Sequence, residues 1–294
     1  MEPWILATLV ATLLYGLLNF LFKVAAERGH DSDQLVSHVG LTVTLLALAT
    51  LFAATERPAA AFTAPVFAYA FFNGLFFALG SLAKYGALRR APAAIVFSLN
   101  RLNSVGLVVI GFLFFHEIPR PLQVAGLGAG LGVLFLLVFE TRSGYAGARG
   151  PAARAGTLLA LLSALFTALS MTVGKLLAES PQNRIAYIAV SYALVFLFTR
   201  LRAARKPSPA ACRPPPPREK FLFGGAIGAL NFAGYFLVLQ AFGSGPVSLS
   251  QAIFSSSILI PVLLSRWIYR EKLTPARTAA LALAILSVAC ISWK

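Results

Sequence analysis

The chain has 294 residues, of which 58% are hydrophobic and only 12% charged, and its mean hydropathy is +0.78. Soluble domains are about 45–50% apolar and about 25% charged, so water is excluded as the solvent for most of this chain. The net charge of +15 does not indicate nucleic acid as a partner, because Lys and Arg cluster between apolar runs and not along one soluble face. Cys212 and Cys290 give neither a disulfide framework nor a metal-ligand spacing, and no cofactor or metal is expected.

Ten apolar runs of spanning length follow one another, near residues 4–25, 35–55, 64–88, 92–115, 121–140, 155–178, 184–201, 220–242, 247–268 and 274–293. Backbone groups in hydrocarbon need internal partners, and runs this long without strict alternation predict helices and not barrel strands. The first run begins without a basic segment and leads to Lys23 without a cleavage-site pattern, so it reads as a retained span. It carries a polar stripe of Tyr15, Asn19 and Lys23. Span 2 holds His38, a lone histidine read as structural. In span 3, Asn73, Phe77, Gly80 and Lys84 share one helical face.

Span 4 places Asn100, Arg101 and Asn103 at mid-depth and is followed by Glu117. A central Arg in a bilayer costs roughly 2.5–3.5 kcal/mol and lies too deep to snorkel easily, so Arg101 must face protein or a watery cavity. It reads either as a cavity residue, the preferred reading, or as packing glue tied to carbonyls and amides. Span 5 carries two overlapping small-residue pairs, Gly126/Gly130 and Gly128/Gly132, matched by Ala280 and Ala284 in span 10. Such ridges let helix backbones approach closely and predict scaffolding. Residues 142–154 read as a linker. Lys175, like Lys23, lies near a span end and is read as snorkelling. Residues 200–220 hold seven Lys/Arg and the run Pro214–Pro217, predicting an exposed, extended loop. Asn231 and Tyr235 form a further polar face on span 8, and Gln251 and Ser255 to Ser257 make span 9 polar.

Sliding the second half back by 154 residues superposes Gly74 on Gly228, Gly80 on Gly234, Ala87 on Ala241, Pro92 on Pro246, Glu117 on Glu271 and Pro121 on Pro275. A related offset of 152 places Lys23 on Lys175 and Gly16 on Ala168. The chain is therefore a repeat, residues 1–141 and 155–294, and five spans per unit force the two units into opposite orientations. Of the 25 Lys/Arg, 17 lie on the side of the loops after spans 1, 3, 5, 7 and 9, and four on the other. The positive-inside rule then predicts the cytoplasmic membrane, with both termini extracytoplasmic and the polyproline loop inside.

Two five-helix units, each with an apolar fourth helix ending in Glu and a small fifth helix, resemble the drug/metabolite transporter superfamily and its ten-span EamA type. The matching stretches are Ala91–Ala94 through Phe115–Glu117 and Gly245–Ser248 through Tyr269–Glu271, with Gly16 to Lys23 fitting the first-helix pattern. The resemblance implies transport of amino acids, other metabolites, drugs or sugar conjugates through a cavity between the units. This chain departs from the drug-exporting branch, which uses an embedded Glu in the first helix. All ten Asp and Glu lie outside or at the ends of spans, which disfavours carboxylate-coupled export of lipophilic cations.

These residues predict a monomeric secondary transporter working by alternating access, in which the two repeats rock about a site lined by spans 1, 3, 4, 6, 8 and 9. Arg101, Asn100, Asn103, Lys84, Asn73, Asn19, Tyr15, Asn231, Tyr235, Ser255 and Gln251 are the candidate substrate contacts. Positive charge from Arg101 and Lys84 favours a small polar substrate bearing a carboxylate or phosphate. Glu117 and Glu271 read as caps or surface ion-pair partners. The partners expected are the substrate and membrane lipids. A flippase for a lipid-linked polar substrate and a non-transporting scaffold are the alternatives. An enzyme is not expected, because three histidines and no embedded acid supply no general acid–base pair.

Overall fold

The computed structural model describes residues 2–28, 30–88, 90, 96, 99–100, 102–143, 151–205, 216–269 and 274–293. Among them the helices are α1 (Pro3–Glu27), α2 (Ser32–Ala54), α3 (Ala64–Leu88), α4 (Asn103–Phe114), α5 (Pro121–Ser143), α6 (Pro151–Glu179), α7 (Arg184–Ala204), α8 (Pro217–Ser244), α9 (Val247–Ser255), α10 (Leu259–Tyr269) and α11 (Pro275–Ser292). Proline opens α1, α5, α6, α8 and α11, at the position where its missing N–H costs nothing. Asp31 caps α2 by accepting from Gln34 N at 2.9 Å. Seven stretches are long and apolar enough to cross a membrane, among them Val247–Ile268, and three shorter apolar helices complete ten spans. The protein is an all-α, multi-pass membrane protein built as two inverted five-helix repeats.

Helix runs into both predicted connectors. α5 and α6 leave only residues 144–150 between them, and α7 and α8 leave only residues 205–216. Residues 144–150 and 206–215 lie outside the described residues.

The ninth span is not one continuous α-helix. A turn of 3₁₀-helix, Ser256–Ile258, separates α9 from α10. Pro261 explains it, since a helix-interior proline cannot donate to the carbonyl four residues back, here Ser257, and its ring crowds that carbonyl. Span 4 has the same feature at the matching depth. Leu102 N donates to Leu99 O at 3.0 Å, and Ser256 N to Ile253 O, the same three-residue bond displaced by 154 residues. Both fourth helices of the repeats are therefore interrupted at mid-span.

Packing follows the pseudo-symmetry but not the sequence halves. α1 packs on α8, α9 and α10, and α6 packs on α3 and α4. Exchanging each span for its repeat partner converts the first group into the second. Each group thus mixes both repeats, spans 1, 8 and 9 against spans 6, 3 and 4. α2 packs on α7, and α5 on α11. At the α5–α11 seam a Cβ on Gly126 would lie 2.8 Å from Ile291 Cγ1 and one on Gly130 2.9 Å from Ser287 Oγ, as well as 2.8 Å from Ala252 O of α9, so these two glycines allow the close approach. Ser287 Oγ donates across it to Gly126 O at 2.7 Å. In the second pair Gly128 meets nothing within 4 Å, whereas a Cβ on Gly132 would lie 3.3 Å from Leu283 Cδ1 of α11.

Candidate functional site

Where the two groups of spans face each other at mid-depth, polar side chains from seven spans form paired contacts. Tyr15 on α1 and Tyr192 on α7 both donate to Asn231 Oδ1 on α8, each at 3.1 Å. Tyr187 and Tyr235 share a hydrogen bond at 3.1 Å behind them, and Phe254 sets its edge against Tyr15 with centroids 5.0 Å apart. On the other group, Ser170 Oγ donates to Asn73 Oδ1 at 2.5 Å and Ser163 Oγ to Asn100 Oδ1 at 2.8 Å. Gln251 Nε2 joins the two sides, donating to Ser104 Oγ at 2.8 Å.

These bonds share a polarity. The carbonyl oxygens of Asn73, Asn100 and Asn231 are each taken by a hydroxyl donor, which among the described residues leaves their amide N–H groups as the unspent donors. A site built this way offers hydrogen to an incoming acceptor.

At the face carrying both chain termini, charged side chains grip backbone. At the end of α4 the chain reverses sharply: His116 adopts φ 48°, in the left-handed region that His tolerates better than most residues. Glu117 N then donates to Gly111 O at 3.2 Å. The turn folds the Glu117 carboxylate back over Gly111, where a Cβ would lie 2.8 Å from Oε2. The carboxylate accepts from Val247 N at 2.5 Å, from Ser248 N at 2.9 Å and from Ser248 Oγ at 2.5 Å, capping the free N–H groups at the start of α9. Lys175 does the converse. Its Nζ donates to Phe242 O at 2.6 Å and Gly245 O at 3.0 Å, at the carbonyl end of α8. It pairs with Glu179 at 2.7 Å and lies 5.5 Å above the Phe115 ring. The residue is only 4% exposed, so the snorkelling expected of it is wrong. A lysine that finds carbonyls and a carboxylate within reach has no need of the interface.

On the opposite, basic face the described links are between side chains. Asp33, 1% exposed, pairs with Arg202 at 3.3 Å, and Arg28 with Glu219 at 3.2 Å. Lys220 donates to Gln34 Oε1 at 3.0 Å. His38 bonds Gln34 O at 2.7 Å and sets its ring edge against Phe221, a structural role.

The remaining candidates fall apart in space. Arg101 and Glu271, and the Lys23 side chain, lie outside the described residues. Asn19 is half-buried one turn beyond Tyr15, Asn103 is half-buried as the first residue of α4, and Lys84 is half-buried one turn before the basic end of α3. Ser255 spends its hydroxyl on Gly130 O at 3.0 Å and Ala252 O at 2.6 Å, so it ties span 9 to the scaffold helix α5. Sequence reasoning missed Tyr187, Tyr192, Ser163, Ser170 and Ser104. Their signal was simple polarity inside an apolar run, with Tyr187 and Tyr192 on one broad face of span 7.

A solved crystal structure, titled only as that of a protein, superposes with a TM-score of 0.76 at 20% identity, covering 98% of this chain and 96% of that chain. That likeness concerns the fold. No curated protein matches the chain. The EamA-like transporter family matches twice, over residues 2–139 and 154–293, the same two units that the repeat, the broken fourth helices and the swapped packing define. The chain belongs to the EamA-like transporter family.

Proposed function

We propose that this chain is a secondary transporter that moves a small polar, anionic metabolite across the cytoplasmic membrane by alternating access. The observation that carries the reading is the polarity of the mid-depth layer: three asparagine amides with their carbonyls already occupied and their N–H groups left to donate. A carboxylate or phosphate is all acceptor and suits such a site. Arg101 follows Asn100 directly in the sequence, and its charge supports the same choice, since Arg holds planar oxyanions bidentately. Tyr15, Asn231 and Tyr235 contact the substrate from one group of spans, Asn73 and Asn100 from the other, and Tyr192 from α7 beside them. The positive-inside rule supports an extracytoplasmic position for both termini.

The units that move are the two mixed groups, spans 1, 8 and 9 against spans 6, 3 and 4, and not the sequence repeats. α6 packs on α8 at the terminal face, whereas their repeat counterparts α1 and α3 show no comparable packing among the described residues. That asymmetry supports a state closed at the terminal face and parted at the basic face. Melting temperatures of the purified protein, screened against a metabolite panel, identify the substrate. Uptake of the hit into proteoliposomes then tests the reading. Arg101→Gln abolishes uptake with the fold intact if the site binds an anion. Stabilisation by neutral or cationic compounds only, with Arg101→Gln transporting normally, overturns the anionic class.

A further inference from the structure

The reversal between α8 and α9, Gly243–Pro246, is held from both sides by opposite charges. Glu117 takes the N–H groups that open α9, and Lys175 takes the carbonyls that end α8. Each charge complements the helix end it meets. Glu117 follows span 4 and Lys175 belongs to span 6, which pack in one group, while spans 8 and 9 pack in the other. Both contacts therefore cross the seam between the groups at the terminal face; their repeat counterparts, Glu271 and the Lys23 side chain, lie outside the described residues.

We propose that Glu117 and Lys175 form a clasp on the α8–α9 reversal that holds the terminal face shut, and that releasing it is the step that opens this face. The inference rests on the alternating-access reading above. Three features distinguish the clasp from ordinary capping. Apart from the Ser248 hydroxyl, the donors and acceptors it grips across the seam are backbone groups at helix ends, so they cannot follow if the ends separate, as flexible side-chain partners could. The Glu117 carboxylate is aimed by a left-handed residue, His116, and by the missing side chain at Gly111. Lys175 is buried, bonding Phe242 O and Gly245 O across the seam and Glu179 one turn on. Moving apart leaves the Lys175 ammonium with Glu179 alone and the open end of α9 without partners, so opening needs water or substrate to replace the lost contacts.

The test uses the full-length protein with Cys212→Ser and Cys290→Ser and a single reporter, Ser104→Cys, buried on the same seam against Gln251. A membrane-impermeant maleimide is applied to right-side-out and inside-out vesicles, so each face is reached in turn. Glu117→Gln and Lys175→Met raise labelling from the terminal face roughly tenfold, the effect of losing one charge-assisted contact. Ser248→Ala removes one donor and keeps both charges, and it raises labelling roughly two- to fivefold. Unchanged labelling in variants that elute and melt as folded protein overturns the clasp. If Glu117→Gln fails to fold, Ser248→Ala decides alone. A simultaneous fall in labelling from the basic face is what alternating access requires. A rise at the terminal face without that fall leaves the clasp standing and ends the alternating-access reading instead.

Discussion

Among the described residues the two faces of the molecule are held by different chemistry, and the difference separates stability from motion. At the terminal face, Glu117 and Lys175 bond backbone at helix ends across the seam between the two groups of spans. At the basic face, the described pairs join side chains within one group or at its edge: Arg28 with Glu219 ties α1 to α8, and Asp33 with Arg202 ties α2 to α7. Side-chain pairs tolerate a few ångströms of slip, whereas a charge capping a helix end is lost when that end departs. The terminal contacts should therefore decide which face is open, and the basic pairs only whether the groups stay assembled.

The largest effect expected from breaking this contrast is at the basic face. Asp33→Ala leaves Arg202 partly buried without its carboxylate and lowers stability by about 3 kcal/mol. Thermal melting in detergent reads that loss, while the sidedness of Ser104→Cys labelling stays as in the parent protein. A shift in sidedness would mean that the basic pair also controls opening. Next in size is the scaffold seam. Gly130→Val forces a methyl against Ala252 O and lowers stability by about 2 kcal/mol. Transport per folded molecule is expected to be unaltered, and a selective loss of transport would place α5 in the moving machinery.

A smaller effect belongs to the centre. Asn231→Asp keeps the acceptor for Tyr15 and Tyr192 but replaces the donating amide with a charged acceptor. Affinity for an anionic substrate should fall roughly tenfold, about 1.4 kcal/mol, with stability little changed. Titration of the stabilising ligand against melting temperature measures it. Unchanged or tighter binding would remove the reason for preferring anions.

Much of the fold was legible because the bilayer imposes long apolar runs and the repeat doubles every signal. Pro246 and Glu117 marked turns that the structure bears out, while their counterparts Pro92 and Glu271 lie outside the described residues. What could not be read was partner exchange. Nothing in the sequence says that α1 leaves its own repeat to pack on α8, because apolar faces of lipid-solvated helices carry no address. The site was half legible. Asn73, Asn100, Asn231 and Tyr15 were visible as polar residues at mid-depth, but their shared polarity depends on which atom each neighbour bonds. Lys175 was misread for a physical reason: depth along a span suggests snorkelling, and only the arrival of the α8 end, 67 residues away, supplies the carbonyls that bury it.

The partition of the molecule into mixed groups is most directly tested by distances between spin labels on a cysteine-free background. Leu6 at the start of α1 and Ile118 after α4 are both exposed and both belong to the first sequence repeat. Ser244 at the end of α8 is exposed and belongs to the second repeat but to the same packed group as Leu6. When Glu117→Gln releases the clasp, the distance between labels at Leu6 and Ile118 is expected to lengthen while that between Leu6 and Ser244 stays constant. A constant Leu6–Ile118 distance with a changing Leu6–Ser244 distance would show the sequence repeats moving as the rigid units and would contradict the account.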